Sequence, residues 1–226
     1  MAHLPAGVRI TRIRSSNRDP SIRVVDIEGA GRFRLDVKTV DALALNEGAE
    51  VDTRLAGRIA GAAEHRHARE IALRLLQRRL RSRAELETGL RRRGVSRVVS
   101  IGVIGDLARE GWIDDARFAR AWVRDRLALR PSGRRRLVAE LISRGVSPAT
   151  AEDAVASMLT PQGEEDLALS QARARFRRIQ RLPPDVARRR LVGWLRRRGF
   201  GQAAIARVLR MVQGTAADEE SSHASA

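Results

Sequence analysis

The chain of 226 residues contains no cysteine, which excludes a disulfide framework, a thiol nucleophile and a Cys-ligated zinc site. Aromatic residues are nearly as scarce, with four Phe, three Trp and no Tyr. An interior with so few rings must be filled by Leu, Val, Ile and Ala, which suits thin helical layers and an elongated body better than one thick core. No apolar run reaches the length of about 18 residues that a bilayer crossing needs, and the opening residues lack the apolar stretch of a secretion signal. A cytoplasmic monomer with no membrane partner is therefore expected. Histidines are limited to His3, His65, His67 and His223, two near the ends and two in one helical stretch. With no phosphate loop or nucleophile elbow beside them, neither catalysis nor a cofactor or metal is expected. Lysine is reduced to Lys38.

What the chain has in excess is arginine. The formal net charge is +17, a field that favours a polyanionic partner. Guanidinium groups hold phosphates or carboxylates in pairs of hydrogen bonds and stack on bases or rings, so nucleic acid and acidic protein surfaces both fit. Arginine-rich codon usage would explain Arg over Lys, but not the excess of base over acid.

Near the start, Val8, Ile10 and Ile13, then Ile22, Val24 and Ile27, then Phe33, Leu35 and Val37 recur mostly at every second position, the period of half-buried strands. Asn17 to Ser21 and Glu28 to Gly31 separate them as turns. Residues 1–50 thus form a small antiparallel β-meander, and 51–65 a linking helix with Asp52 as its N-cap. The expected fold is mainly α beyond this point: three-helix repeats over 66–112, 113–160 and 161–214, then a disordered tail over 215–226.

The repeats rest on three aligned phrases: Leu90 to Val95, Leu141 to Val146 and Leu195 to Phe200, each with a glycine at its fifth position, Gly94, Gly145 and Gly199. Eight residues before each glycine stand Leu86, Leu137 and Leu191, and four before it Leu90, Leu141 and Leu195. Ten after it stand Ile104, Val155 and Leu209, and thirteen after it Leu107, Met158 and Val212. That spacing describes two amphipathic helices joined at a turn in which the glycine adopts a left-handed conformation. Capping signals agree: Ser82 with Glu85 forms a capping box, Ser147 precedes Pro148, and Asp114 and Asp115 open the helix bearing Phe118 and Trp122. Metal or acid–base chemistry at that acidic pair has no third ligand in support.

With the leucines inward, the arginine runs face a partner. They comprise Arg78, Arg79 and Arg81; Arg91, Arg92 and Arg93; Arg126; Arg134, Arg135 and Arg136; Arg188, Arg189 and Arg190; and Arg196, Arg197 and Arg198. Recurrence at matching places suits a regularly charged polymer, although a charge run is also what a merely solvated helix face presents. A helix-turn-helix reader of duplex DNA is an alternative, but the helices after the glycines begin with Val98, Val99 and Ile101, with Pro148 and Ala149, or with Ala203 and Ala204, which are poor base readers.

Over about 66–212 these residues resemble the RecX family, modulators of the RecA recombinase. The resemblance is carried by Leu75 to Leu86 with Arg79, Arg81, Ser82 and Glu85; by Gly111, Trp112, Asp114, Asp115, Phe118, Arg126, Gly133, Arg136, Leu137, Glu140, Leu141, Arg144 and Gly145; and by Trp194, Leu195, Arg198, Gly199 and Phe200. Trp112 stands where the family often has Tyr. The resemblance implies binding in the groove of the RecA filament on single-stranded DNA, and secondarily on duplex DNA. It further implies inhibition of ATP hydrolysis, strand exchange and repressor cleavage, with no catalytic residue. A RecA-independent nucleic-acid-binding protein is the competing expectation.

Overall fold

A computed structural model describes residues 7–223, with side chains through 212. The described residues form two compact units. One extends to Ile113 but excludes Arg81–Ala84; the other consists of Arg81–Ala84 and the chain from Asp114 onward.

The first unit begins with strands β1 (Val8–Ser16), β2 (Asp19–Ile27) and β3 (Gly31–Asp36), then helix α1 (Val37–Ala42) and strand β4 (Glu50–Val51). The meander is present as expected, and a short fourth strand that two residues of sequence could not announce pairs with β1, giving the antiparallel order β3-β2-β1-β4. The turns fall at Asn17–Arg18 and around Gly29 and Gly31, both at positive φ. Alternation places Ile10, Val25, Ile27, Phe33 and Leu35 on one face, where Ala56 and Ile59 of helix α2 (Thr53–Arg78) cover them. Asp52 caps α2 by accepting from the Leu55 amide at 2.6 Å. This helix is continuous, so the linking segment and the first helix of the first repeat are a single rod. Its later residues Ala68, Ile71, Ala72 and Leu75 enter a second core with α3 (Arg83–Arg91) and α4 (Arg97–Arg109).

In the second unit, α5 (Asp115–Leu129), α6 (Arg134–Ile142) and α7 (Pro148–Ala156) surround one core, and α8 (Pro161–Phe176), α9 (Pro184–Arg197) and α10 (Gln202–His223) another. The expected disordered tail, 215–226, begins inside α10; its side chains and residues 224–226 lie outside the described residues.

Leu86, Leu90, Leu137, Leu141, Leu191 and Leu195 are all fully buried. Each phrase ends in the same double hydrogen bond. The glycine amide donates to the carbonyl three residues back, at 3.0, 2.8 and 2.9 Å, and the next amide to the leucine carbonyl five back, at 3.3, 3.2 and 3.2 Å. Gly94, Gly145 and Gly199 have φ of 81, 77 and 80°, the left-handed geometry this motif requires. Gly111 ends α4 in the same way and leaves Trp112 half exposed.

Behind the glycine the expected register needs adjustment. Met158 is exposed while Leu159 is buried, because α7 stops at Ala156 and the chain turns before its next apolar residue. In the third repeat Val208 is fully buried and Leu209 only partly. Within these helices all three repeats bury offset six, at Ser100, Ala151 and Ile205, and offset nine, at Val103, Ala154 and Val208, the latter one step around the helix from the expected position ten.

A joint of two parts recurs in the second unit. At the start of α6, the Gly133 amide donates to the Arg198 carbonyl at 2.9 Å and the Arg135 amide to the Gly199 carbonyl at 3.1 Å, while the Arg134 amide donates to Glu164 at 2.9 Å. At the start of α3, the Ser82 hydroxyl donates to the Arg144 carbonyl at 2.6 Å and the Arg83 amide to Asp115 at 2.9 Å. In both, donors at a helix N-terminus meet carbonyls left over where another helix ends, and a carboxylate in the first turn of a third helix takes one more. The approach is close: a Cβ on Gly199 would lie 2.4 Å from the Arg136 backbone nitrogen, on Gly133 2.3 Å from the Phe200 nitrogen, and on Gly145 2.2 Å from the Ala84 Cβ. Gly94 has nothing within 4 Å.

These differences separate two costs of the same substitution. Gly94→Ala should destabilise by about 1 kcal/mol, the cost of positive φ alone. Gly199→Ala should cost roughly 1–3 kcal/mol more, because the joint must open. Chemical denaturation of the two variants, with hydrogen exchange to localise each effect, checks the ranking; equal destabilisation would show that the close approach at Gly199 carries no energetic weight.

Candidate nucleic-acid interface

The arginines expected to face a partner divide by their surroundings. The one immediately before each glycine donates to a backbone carbonyl. Arg93 donates to the Gly89 carbonyl at 2.9 Å, and Arg144 to the Glu140 carbonyl at 3.0 Å; both cap carbonyls at the end of their own helix. Arg198 reaches the Pro131 carbonyl and lies 5.1 Å from the Trp194 ring centre. Burial, with the nearby Arg136 charge second, holds its guanidinium below the ordinary arginine value.

Arg126 and Arg136 are likewise engaged. Both donate to Glu140, at 2.7 and 2.9 Å, and Arg126 and Arg144 stack on Trp122 at 4.8 and 3.7 Å from its centre. Sequence reasoning selects Arg126 and Arg136 for their charge and has Glu140 only as part of the family-like phrase, without its role as the carboxylate that gathers them. Four residues separate Arg136 from Glu140, the spacing of a same-face helical ion pair, and that is the signal the sequence offers. Burial acts to raise the Glu140 pKa, but the two arginine hydrogen bonds outweigh it and hold the carboxyl below its ordinary value. In the first unit Arg79 pairs with Glu85 at 2.6 Å. Arg81 is partly buried, and the Arg134 side chain is half-buried where its amide joins Glu164.

The outward set is smaller. Arg188, Arg189, Arg190, Arg196 and Arg197 are exposed on α9 and form no ion pair with a described residue. Ala187, Leu191 and Leu195 fix the buried stripe of that helix; at 100° per residue Arg189 and Arg196 point directly away from it, with Arg190 and Arg197 beside them. Seven residues put each pair roughly 10.5 Å apart along the axis. Arg135 on α6 and Arg91 and Arg92 at the end of α3 are also exposed. In the first unit Arg74, Arg78 and Arg93 line a cleft of about 460 Å³ with His67, over a floor of Ile71 and Leu75 and with no carboxylate in its lining.

The remaining candidates are structural. Asp114 caps α5 by accepting from the Ala116 and Arg117 amides at 2.8 and 3.0 Å. Asp115 is the joint acceptor, and Phe118 and Phe200 are buried in separate cores of the second unit. The helices after the glycines offer few base readers, with Arg97 opening α4 and Gln202 opening α10. Val98 and Ile101 stand exposed on α4, and α7 exposes Glu152 and Asp153, which repel phosphate. No group of His, Cys, Asp or Glu among the described residues is arranged to hold a metal ion. No described helix is long and apolar enough to cross a membrane.

Comparison with known proteins matches the three helical repeats, in order, to the first, second and third three-helix domains of RecX, at residues 68–107, 114–155 and 163–209. Regulatory protein RecX of Thermobifida fusca is 43% identical over 143 residues, spanning 63% of this chain and 77% of that protein. Its counterpart in Mycobacterium avium is 44% identical over 140 residues, spanning 60% and 78%. A crystal structure of regulatory protein RecX superposes with a TM-score of 0.78 at 20% identity, over 90% of this chain and 99% of that one. RecX from Lactobacillus salivarius gives 0.62 at 21%, over 66% and 97%. At such identities the two structures speak to the fold.

Glu140→Gln should destabilise the second unit, and the effect should depend on pH in one direction. A carboxyl whose folded pKa is depressed contributes its full stabilisation above its unfolded value, near 4.5, and loses it as pH falls through the folded value. The difference in melting temperature between wild type and variant should therefore be greatest near neutrality and shrink below about pH 4. A difference that does not change with pH would show that the arginine pairs do not stabilise the ionised form.

Proposed function

Because this chain belongs to the RecX family of regulatory proteins, we propose that it acts on the RecA filament, lodging in its groove and inhibiting ATP hydrolysis, strand exchange and coprotease activity. Through that inhibition it regulates DNA repair and the SOS response, as a binding protein without catalytic chemistry. The observation that carries this reading is the row of five unpaired arginines on α9, two of them aimed directly away from the core. A helix that presents guanidinium groups at a fixed repeat suits a partner recognised by charge and shape. A RecA–DNA filament offers acidic protein and phosphate at regular intervals.

The regulatory effect follows from linkage. A bound protein shifts a filament between states only by its differential affinity for them. A basic helical body that fits one groove geometry better than another therefore favours that geometry, and while seated it excludes a second DNA strand.

The test uses charge reversal where the fold does not need the charge. Arg189→Glu with Arg196→Glu should raise the concentration required to inhibit RecA ATPase by at least about tenfold, as expected when two charge-assisted hydrogen bonds are removed, with an unchanged circular dichroism melt. Arg198→Gln should instead lower the melting temperature, because its partners lie within the protein. Full inhibition by the α9 double variant would refute this assignment. Equal inhibition of an unrelated DNA-dependent ATPase by the wild-type protein would favour RecA-independent coating of DNA.

A further inference from the structure

The outward face of the N-terminal sheet is a second concentration of arginine, separate from the helical repeats. Register places it residue by residue: Arg14 pairs across to Val24 and Val24 to Arg34, while Arg12 pairs to Asp26 and Asp26 to Arg32. A bulge between Ile10 and Arg12 shifts β1 by one residue, and alternation beyond it sends all six side chains to the face opposite Ile13, Val25 and Leu35, of which Val25 and Leu35 are fully buried. Two pairs of arginines, on β1 and β3, thus flank a central strand, and Arg18 adds a fifth charge in the β1–β2 turn. Arg14, Arg18, Arg32 and Arg34, with Ser15, Ser16, Asn17 and Val24, line a shallow cleft of about 440 Å³.

Carboxylates are too few to neutralise it. Asp26 sits between Arg14 and Arg32 at 3.6 and 3.3 Å, and Glu70 of α2 approaches Arg34 at 3.9 Å while also binding Arg66 at 3.1 Å. Arg12 and Arg18 have no ion pair to a described residue, and Arg32 is 72% exposed despite its contact with Asp26. Like charges held on adjacent positions of one face work against the fold, so a surface so composed is relieved by an anion.

We propose that this face is a phosphodiester-binding surface for single-stranded DNA, working independently of the helical arginines and without RecA. Protein interfaces centre on aromatic or aliphatic anchors; of the apolar side chains that alternation puts on this face of β2, Ile22 is buried and Val24 only partly exposed, so an acidic protein partner has little to grip. The arginine pairs lie two strand spacings apart, roughly 9.6 Å, and the members of each pair roughly 6.7 Å apart along the strand. That trough accepts one backbone running along β2 with a guanidinium on either side. Since no ring is present on which bases would stack, binding is indifferent to sequence.

The experiment measures affinity for a fluorescent oligothymidylate across a salt series, using the full chain without RecA. Removing one guanidinium–phosphate pair lowers the slope of log K against log salt by about 0.7 for a single strand. Arg14→Gln, Arg32→Gln and Arg34→Gln combined should therefore reduce it by about 2, and the same positions changed to Lys should keep it. Because Asp26 is left without its partners in the triple variant, Arg12→Gln with Arg18→Gln serves as a second variant that breaks no ion pair, with an expected reduction of about 1.4. Unchanged affinity and slope in both Gln variants would overturn the proposal, as would an effect confined to duplex DNA. Retained DNA binding with abolished RecA inhibition would also overturn it, assigning the face to protein instead; the reading of the α9 arginines is tested separately and would survive.

Discussion

The second unit depends on how the unpaired polar ends of its helices are satisfied. Every α-helix leaves amides at its start and carbonyls at its finish without partners, and burying them unmatched is costly. Here the two deficits are set against each other. Amides entering α6 take the carbonyls leaving α9, and the Ser82 hydroxyl takes the corresponding carbonyl leaving α6. Such an approach requires backbone against backbone, so glycine stands where the chains touch: Gly199 and Gly133 on the two sides of one joint, Gly145 opposite Ala84 in the other. The left-handed turn therefore serves twice, ending a helix and exposing its last carbonyls to the next helix start.

That double use explains what the sequence reveals and what it withholds. The three leucine–glycine phrases are readable because the same covalent solution recurs, and periodic apolar positions report burial directly. Asp115 reads in the sequence as half of an acidic cap; only Asp114 caps, while Asp115 accepts from Arg83, 32 residues earlier. Glu164 has the matching role toward Arg134, and nothing in its local sequence distinguishes it. A carboxylate in the first turn of a helix carries the same signature whether it serves its own helix or a neighbour, so the joint is illegible until two distant segments are seen together. Gly133 is recognisable by resemblance alone, since its reason is the Phe200 backbone lying where a side chain would go. Strand β4, two residues long, is below the length at which alternation is visible.

The arginine runs are the least legible feature of all. Consecutive residues on a helix point in directions 100° apart, and a run of three must therefore serve several environments. In Arg196, Arg197 and Arg198 the first two are exposed and the third is folded back against Trp194 and the Pro131 carbonyl. The position before the glycine recurs as a carbonyl-binding arginine, because a long forked donor there reaches carbonyls of its own helix at Arg93 and Arg144 and that of Pro131 at Arg198. Lysine would supply the charge there but neither the planar stacking on Trp122 and Trp194 nor the forked hydrogen bonding. Part of the arginine excess is thus structural, and counting charge overstates the surface available to a partner.

What is left after that subtraction is more informative than the total. On α9 a row of exposed guanidinium groups forms no ion pair with a described residue, and the outer face of the sheet sets five arginines against few carboxylates, while α4 and α7, the helices in the place of a recognition helix, expose mostly valine, isoleucine and acids. A protein that read sequence would need the opposite distribution, with hydrogen-bonding side chains at helix starts and charge reduced to positioning contacts. Charge without readout makes binding strong, salt-dependent and uniform along a polymer. Selectivity must then come from the spacing at which rigid elements hold the charges. The pitch of α9 fixes the spacing along that helix, and the joint at Gly199 holds its end against the start of α6, so the same constraint that satisfies the helix ends also fixes where the α9 charges stand relative to Arg135 on α6.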